Sequence, residues 1–451
     1  MNFYYMFIIQ GEIMSNIVEQ LRHACTLGSY ESVLAIDRAV PIIHSGPGCA
    51  AKIWATLGLQ NGCQGTGHIG GHSIPCTDVG EKEVIFGGTD RLEKVISNSF
   101  KVMDADLYVV LTGCTSDIVG DYVGEVVDRF KAQGKPIVYA ETGGFKGSNF
   151  IGHELVIDAI IDQYLKPSDK IDEGLVNIWA TVPYQDTFWS GNLETIEKLL
   201  NSIGVRTNII FGHGRGINAL NKVPKAQYNL LISPWIGLKN VKHLKEKFGT
   251  EFLQYPVLPI GPKETGKFLR TIGELLDMDK NIVEREIEKQ EDRYFYYLER
   301  AADVLLETRL LPKHFVTIAD STYALAISKF LINDLGLLPA RQFITEDVPK
   351  QYEKKVKESF SGFYNNIVPE IQFTSDSGDI NSYLKDTDFR TKPLILGSGW
   401  DRVISKEIKG YELSISAPIS DRMVLSRSYV GYEGAMRLIE DIYTVVLQDF
   451  Q

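Results

Sequence analysis

Short apolar runs recur along the whole chain of 451 residues, each followed by small or polar turn residues and then by a helical pattern. Buried parallel strands are continuous apolar runs, and their alternation with helices is typical of βαβ units. The pattern therefore predicts an α/β fold with parallel sheets flanked by helices. The runs are AVPIIH (39–44), DLYVVLTGCTSD (106–117), KPIVYAETGG (135–144), VNIWATVP (176–183), RTNIIFGHGRG (206–216), YNLLISPW (228–235), HFVTIADST (314–322) and KPLILGSGWD (392–401).

The spacing of these runs predicts three Rossmann-like domains, which agrees with a length of roughly 150 residues per domain. A polar segment, YLKPSDKIDEG (164–174), separates the first domain from the second, and the charged amphipathic stretch 285–307 predicts a long connecting helix. The predicted units are an N-terminal domain with all the cysteines over 1–170, a second domain over 171–285, a connecting helix over 286–312, and a third domain with C-terminal helices over 313–451.

Charge and the N-terminus exclude several classes of protein. The formal net charge is −11, from 58 acidic and 47 basic side chains without a dense basic block, so a nucleic-acid partner is not expected. The apolar run near the N-terminus is too short to span a membrane and lacks a basic n-region and a cleavage site. We expect a cytoplasmic protein whose residues 1–13 are dispensable, with Met14 as an alternative start.

The chemistry suggested by the sequence is concentrated in five cysteines near the N-terminus. Their odd number, without a secretory context, argues against a disulfide framework. The chain has no CxxC pair, which makes a zinc ribbon improbable. Three of them lie in glycine-flanked turns, which favours thiolate ligation of iron–sulfur chemistry, whereas a single buried cysteine is commonly structural filler. The cysteines are Cys25 in CTLGS, Cys49 in HSGPGC, Cys114 in TGCTSD, Cys63 and Cys76.

Glycines beside two of these cysteines are predicted to contact the cofactor. Gly46 and Gly48 flank Pro47 just before Cys49, and Gly113 directly precedes Cys114. Glycine tolerates positive φ and carries no side chain, so these positions allow a sharp turn and a close approach of the backbone to a bulky inorganic centre.

Other motifs carry less weight. GTGHIG (65–70) fits the dinucleotide pattern only in its letters, because no strand precedes it and no helix follows, and FGHGRGIN (211–218) lacks the third glycine. A metal quartet of Cys63, His68, His72 and Cys76 can be drawn, but its spacing fits no closed zinc pattern. No nucleophile elbow indicates a Ser-His-Asp triad.

In its cysteine motifs the chain resembles the nitrogenase component 1 family, and more closely its β-type subunit. The resemblance extends from about Arg22 to the C-terminus. CTLGS, HSGPGC and TGCTSDIVGD correspond to the family's three cysteine turns, and further signatures are EKEVIFGG (81–88), NLLISPW (229–235), GPKETGKFL (261–269) and DRMVLSRSYVGYEGAMRLIEDI (421–442). The resemblance implies that Cys25, Cys49 and Cys114 hold half of an iron–sulfur cluster, of the 8Fe-7S P-cluster type or 4Fe-4S, at an interface with an α-type subunit.

Three positions depart from the family pattern. An α-type subunit binds the catalytic metallocluster through one cysteine and one histidine, and the matching positions here are Ser233 and Val430, which supply neither ligand. The extra serine that the β-type subunit carries near the P-cluster corresponds to Gly144. The resemblance therefore implies a subunit that leaves the substrate-reducing cofactor to its partner.

The implied function is electron relay in an oxidoreductase complex, a heterotetramer in this family. An ATP-dependent 4Fe-4S reductase protein would deliver electrons through the P-cluster to the cofactor in the α-type partner. The substrate stays open between dinitrogen, for nitrogen fixation, and another small molecule such as a methylthio-alkane. The alternatives are a scaffold for assembly of a nitrogenase-type metallocofactor and a cofactor-free binding protein with the cysteines as core filler.

Overall fold

The computed structural model describes residues 18–65, 68, 73–308 and 310–449. The prediction that residues 1–13 are dispensable lies outside these residues, as do most of the GTGHIG loop and His72. Within the described part of the chain, no helix is both long enough and apolar enough to span a membrane.

The first sheet contains three parallel strands in the order β1-β2-β3. Every residue of β1 and β2 is buried, as their continuous apolar sequences predict. The strands are β1 Ala39–His44, β2 Leu107–Thr112 and β3 Ile137–Ala140. The helices of this part are α1 Ser29–Leu34, α2 Pro47–Leu59, α3 Glu81–Phe86, α4 Thr89–Val102, α5 Cys114–Val119, α6 Val123–Ala132 and α7 Asn149–Gln163, with short 3-10 helices at Thr26–Gly28 and Gly144–Lys146.

The second sheet has four parallel strands in the order β5-β4-β6-β7. Its strands are β4 Asp172–Trp179, β5 Arg206–Asn208, β6 Ala226–Ile232 and β7 Glu251–Tyr255. The helices that follow them are α8 Trp189–Ser202, α9 Gly216–Leu220, α10 Leu238–Phe248, α11 Gly261–Leu275 and the long α12 Lys280–Thr308.

The third sheet is also parallel, in the order β11-β10-β8-β12-β13, with the short β9 paired to β8. Its strands are β8 His314–Ala319, β9 Leu338–Pro339, β10 Gln342–Ile344, β11 Ile371–Phe373, β12 Leu394–Gly397 and β13 Tyr411–Ser414. Its helices are α13 Ser321–Asn333, α14 Lys350–Ser359, α15 Ser377–Asp386, α16 Arg402–Glu407 and α17 Gly431–Gln448.

The predicted α/β fold with parallel, helix-flanked sheets is confirmed. Each apolar run found in the sequence overlaps a strand. The exact domain boundaries stay a prediction. A continuous apolar core includes buried residues from all three sheets, among them Ile43, Val176 and Phe315.

A buried ion pair also joins distant parts of the chain. The Arg22 guanidinium donates to both carboxylate oxygens of Asp401, at 2.9 Å and 2.7 Å, and both side chains are almost completely buried. This bidentate geometry fixes the segment before Cys25 against the loop that follows β12.

Candidate metal centre

The three predicted ligand cysteines lie at the edge of the first sheet where the carboxyl ends of its strands meet. Cys49 is in the first turn of α2, which follows β1, and Cys114 begins α5, which follows β2. Cys25 immediately precedes the 3-10 helix Thr26–Gly28, which packs against the loop after β3. Parallel strands bring their following loops to one edge, which is where α/β proteins place functional groups.

Cys25 and Cys114 meet at Gly144. A Cβ built on Gly144 would lie 2.9 Å from the Cys114 sulfur, 3.3 Å from Cys25 Cβ and 3.7 Å from the Cys25 sulfur. The two sulfurs are thus no farther apart than the sum of 2.9 Å and 3.7 Å. The main-chain N–H of Gly144 also donates a hydrogen bond to the Cys114 sulfur.

Backbone contacts fix Cys25 in this position. Cys25 forms an isolated antiparallel bridge with Ser148. The neighbouring Thr26 hydroxyl donates to the carbonyl oxygens of Thr142 and Gly143, at 2.7 Å and 2.8 Å. The segment carrying the first cysteine is therefore bound to the loop that carries Gly144.

Helix α5, which carries Cys114, is held to the same loop by a carboxylate. Asp117 Oδ2 accepts from the Gly143 N–H at 3.1 Å and from the Lys146 ammonium at 3.1 Å. Lys146 also pairs with Glu141 at 3.0 Å. These contacts determine the position of Cys114 relative to Gly144.

Cys49 is connected to Cys114 through Ser45 and Gly113. The Ser45 hydroxyl donates to the Cys49 sulfur at 3.3 Å. A Cβ on Gly113 would overlap this hydroxyl and lie 2.5 Å from Ser45 Cβ, so Ser45 packs directly on the backbone beside Cys114. The third thiol therefore lies at the same sheet edge as the other two.

A buried His–Asp pair, which sequence reasoning missed, supports this edge. His44 Nε2 lies 2.9 Å from Asp121 Oδ2, and His44 Nδ1 lies 3.0 Å from Thr77 Oγ1. Asp121 Oδ1 accepts from the Gly88 N–H at 2.7 Å. Burial lowers the pKa of His44 against the opposing attraction of Asp121. His44 begins the motif HSGPGC and Asp121 ends the motif TGCTSDIVGD. The presence of these two polar residues in the cysteine motifs is the sequence feature that could have indicated the pair.

The contact of Gly46, Gly48 and Gly113 with a cofactor stays a prediction, and the structure gives their backbone geometry. None of the three uses the positive φ that glycine tolerates: Gly46 and Gly113 have φ of −71° and −101°, and Gly48 is not among the positive-φ residues. Glycine is needed at position 113 because a Cβ there would overlap the Ser45 side chain. A Cβ on Gly48 would meet no neighbouring element of the described structure within 4 Å, so the backbone beside Cys49 borders open space.

Apolar side chains near the cysteines are buried on one side of this edge and exposed on the other. Ile42 and Ile43 are fully buried in the core on either face of the first sheet, but the Trp54 side chain is 51% exposed. Ile118 and Phe145, at 75% and 62%, are exposed as well, on α5 and on the loop beside Gly144. In the described part of the chain, three apolar side chains are therefore exposed on or beside the elements that carry Cys49 and Cys114.

Of the metal quartet that could be drawn from the sequence, His72 lies outside the described residues, and the other three members have separate surroundings. Cys63 is exposed, the His68 ring contacts the Asp104 carbonyl at 2.6 Å, and burial raises the pKa of the Cys76 thiol, which contacts the Ser45 carbonyl. Across the described residues, no three His, Cys, Asp or Glu side chains are grouped to hold a single metal ion. Three thiols spread along one edge suit a polynuclear cluster better than one ion.

Ser233 and Val430, at the positions where an α-type subunit has its cofactor ligands, form hydrogen bonds with nearby residues of the chain. Ser233 is buried, and its hydroxyl accepts from the Trp235 N–H at 3.3 Å. Val430 is fully buried at the N-cap of α17, and its N–H donates to the Ser428 hydroxyl at 3.0 Å.

Comparison with known proteins gives the family. Residues 25–447 match the family described as nitrogenase component 1 type oxidoreductase. The B subunit of the light-independent protochlorophyllide reductase of Synechococcus sp. (strain JA-3-3Ab) is 24% identical over 390 residues, 81% of this chain and 72% of that protein. The nitrogenase molybdenum-iron protein beta chain of Azotobacter vinelandii is 23% identical over 460 residues, 94% of this chain and 82% of that protein.

A solved structure agrees in fold. It is titled "Nitrogenase Cp1 at pH 6.5" and aligns with a TM-score of 0.80 at 18% identity, covering 98% of this chain and 96% of that one. The resemblance found in the sequence is thereby confirmed. The chain belongs to the nitrogenase component 1 type oxidoreductase family.

Proposed function

We propose that this chain is the β-type, electron-relaying subunit of a nitrogenase-like oxidoreductase in the cytoplasm. Cys25, Cys49 and Cys114 would supply three thiolates to an iron–sulfur cluster, of the 8Fe-7S P-cluster type or 4Fe-4S, shared with an α-type partner. An ATP-dependent 4Fe-4S reductase protein would dock on the complex. The similarity to the B subunit of one reductase and to the beta chain of a nitrogenase supports the β-type assignment.

The observation that carries the proposal is the meeting of Cys25 and Cys114 at Gly144. These residues are far apart in sequence, yet a single Cβ at Gly144 would touch both side chains. Cys49 reaches the same edge through Ser45. Filler cysteines packed independently in a core have no reason to converge in this way.

The donors around the sulfurs suit thiolates. The Gly144 N–H and the Ser45 hydroxyl each donate to a sulfur, and such donors stabilise negative charge on sulfur and tune the potential of a bound cluster. When bound, the cluster would supply one-electron transfer. The chain's own residues position the thiolates, and its exposed apolar side chains at this edge would exclude water once covered by the partner.

Three residues of this chain lack the side-chain ligands that substrate reduction or extra cluster ligation would need. Ser233 and Val430 offer neither a thiolate nor an imidazole, so substrate reduction would take place on the partner's cofactor. Gly144 has no side-chain oxygen, so this chain cannot contribute a serine ligand at that position.

The test is anaerobic co-purification with a co-expressed α-type partner. Cys25→Ala, Cys49→Ala and Cys114→Ala should each lower the iron content of the complex severalfold and change its visible and EPR spectra. Cys63→Ala is the matched control, because Cys63 is exposed and takes no part in these contacts. Iron content that is the same in all four variants would contradict the proposal.

Turnover distinguishes electron relay from cofactor assembly. With the reductase protein, ATP and an α-type subunit that retains both cofactor ligands, the relay function predicts ATP-dependent substrate reduction. A complex that binds iron but reduces no substrate, and instead transfers a cluster to another protein, would favour the assembly scaffold.

A further inference from the structure

The loop 233–237, between β6 and α10, is buried along its whole length. Loops usually run over the protein surface, because their backbone polar groups need partners. Here the side chain of Gln254 satisfies two of these groups, since its Nε2 donates to the carbonyl oxygens of Ser233 and Pro234, at 2.8 Å and 2.9 Å. The loop therefore depends on side chains around it to stay inside the protein.

Two carboxyl groups bind this loop, one from the part of the chain with the third sheet and one from the part with the first. Oε1 of Glu346, which follows β10, accepts from the Trp235 indole N–H at 3.0 Å. Oε1 of Glu154, on α7, accepts from the Gly237 N–H at 2.8 Å. The loop after β6 thus connects the second sheet to elements of both other sheets.

Trp235 makes the contact with the third part of the chain. Its side chain is completely buried, and its ring stacks on Tyr352 of α14, with ring centroids 5.5 Å apart and an angle of 23° between the planes. Glu346 Oε1 also accepts from the Ser321 N–H at 3.0 Å, at the start of α13. The position of the indole therefore depends on Glu346 and on the two helices around it.

Neither carboxyl group forms an ion pair in the described part of the chain. The charge of Lys239 offsets part of the charge on Glu154, but its ammonium pairs with Asp158 at 2.9 Å. Asp320, at the N-cap of α13, places another negative charge beside Glu346. Burial of an ionised carboxylate without a paired charge is costly, whereas burial of a neutral carboxyl group costs much less.

The basic side chains nearest to Glu346 in the fold line a cavity from which its carboxyl group is shielded. These side chains are Arg22, His23 and Lys52. The Glu346 side chain is only 1% exposed, and its Oε2 is buried and accepts no hydrogen bond from the described residues. Arg22 is already bound to Asp401. These cations therefore do not pair with the carboxyl group that binds Trp235.

Both carboxyl groups hold their protons more tightly than an exposed glutamate does. Burial, with a smaller contribution from Asp158, raises the pKa of Glu154 from 4.5 to about 7. Burial and the charge of Asp320 raise the pKa of Glu346 from 4.5 to about 7. Between these pH values the closed loop holds protons that a solvent-exposed loop would release, so opening becomes more favourable as the pH rises and levels off above the higher value.

We propose that the loop 233–237 is a proton-dependent conformational switch between the three parts of the chain. The loop stays closed while Glu154 and Glu346 are protonated, and it opens to solvent when both are ionised, because water then solvates the two carboxylates. Opening breaks the contacts of Trp235 with Glu346 and Tyr352 but leaves the three sheets folded. The switch includes none of the cysteines, so it stands whether or not they bind a cluster.

Hydrogen exchange of the full-length chain, with any subunit that co-purifies, tests this inference at pH 5 and pH 8. Exchange rates are corrected for the intrinsic effect of pH and expressed as protection factors. We expect the protection of residues 233–238 to fall at least about tenfold between the two pH values. Low concentrations of urea should leave this exchange unchanged, because a local opening exposes little surface.

The double variant Glu154→Gln with Glu346→Gln should lose this pH dependence, because glutamine keeps an acceptor oxygen but does not ionise. Each single variant should show a smaller fall in protection than the wild type. Glu358→Gln, which removes an exposed carboxylate on α14, is the matched control and should keep the wild-type dependence.

The inference is overturned if the wild-type loop has the same protection at both pH values, or if the double variant shows the full wild-type fall. Should the double variant not fold, an unchanged fall in both single variants overturns it equally. Exchange of the loop at the same rate as β1, with the same dependence on urea, would also overturn it, because the opening would then be global unfolding.

Discussion

The N–H of Gly144 donates a hydrogen bond of 3.1 Å to the sulfur of Cys114. This contact joins the loop after β3 to the helix after β2, and it leaves no room for a side chain at position 144. The sulfur of Cys114 and the backbone of Gly144 therefore constrain each other.

Gly144→Ala should disturb both cysteines. Its Cβ would lie 2.9 Å from the Cys114 sulfur and 3.3 Å from Cys25 Cβ, so one of them must move. We expect a loss of about 1–3 kcal/mol in the free energy of unfolding, measured by urea denaturation, and lower iron content. Gly46→Ala is the control for stability, because its Cβ would lie 3.5 Å from the Val79 carbonyl oxygen, an ordinary contact.

Gly48→Ala separates folding from cofactor binding. No neighbouring element of the described structure lies within 4 Å of the added Cβ, and alanine is a better helix former than glycine, so the stability of the chain should stay the same or rise by up to about 1 kcal/mol. The iron content of the complex with its partner should nevertheless fall, because the new methyl group points into the space beside Cys49. A complex with normal iron would show that this space is not needed.

Gly113→Ala should destabilise the chain by about 1–3 kcal/mol, because the added Cβ overlaps Ser45. The double variant Ser45→Gly with Gly113→Ala should recover part of this loss, since Ser45 Cβ is then absent. Urea denaturation of both single variants and the double variant gives the coupling energy. Strictly additive effects of the two substitutions would contradict the direct contact.

Glu154→Gln should weaken the dependence of stability on pH. Burial raises the pKa of Glu154 from 4.5 to about 7, while its Oε1 accepts from the Gly237 N–H at 2.8 Å. Between these pH values the folded state holds a proton that the unfolded state has released, so stability falls as the pH rises. Glutamine does not ionise, and this contribution, on the order of 2 kcal/mol between pH 5 and 8, should disappear.

Denaturation of the wild type and Glu154→Gln at pH 5 and pH 8 measures this difference. Other buried carboxylates, including Asp186, act in the same direction, so the slope should decrease but not vanish. Glu358→Gln, at an exposed position, should reproduce the wild-type slope. An identical slope in Glu154→Gln would mean that Glu154 is ionised in the folded protein throughout this range.

The sequence predicted those strands that have enough apolar residues to form a pattern. The runs at 106–117 and 392–401 each contain a buried parallel strand. The short strands β7, β9, β10, β11 and β13 were missed. β11, for example, has only three residues, all of intermediate burial, and its sequence IQF has no periodicity to detect.

The same limit applies to the candidate site. The position of Cys114 at a sheet edge followed from the strand before it. The contact between Cys25 and the loop around Gly144 did not, because it depends on the pairing of Cys25 with Ser148, across more than a hundred residues of chain. The support from His44 and Asp121 likewise depends on tertiary packing.

The ion pair between Arg22 and Asp401 has a consequence for biosynthesis. Its partners are separated by 379 positions, so almost the entire chain must leave the ribosome before Arg22 can find its carboxylate. Synthesis proceeds from the N-terminus at about 5–20 residues per second, which leaves the Cys25 segment without this anchor for tens of seconds. The N-terminal segment that leads into Cys25 is therefore anchored to the third sheet only late in synthesis, after the strands of that sheet have been translated.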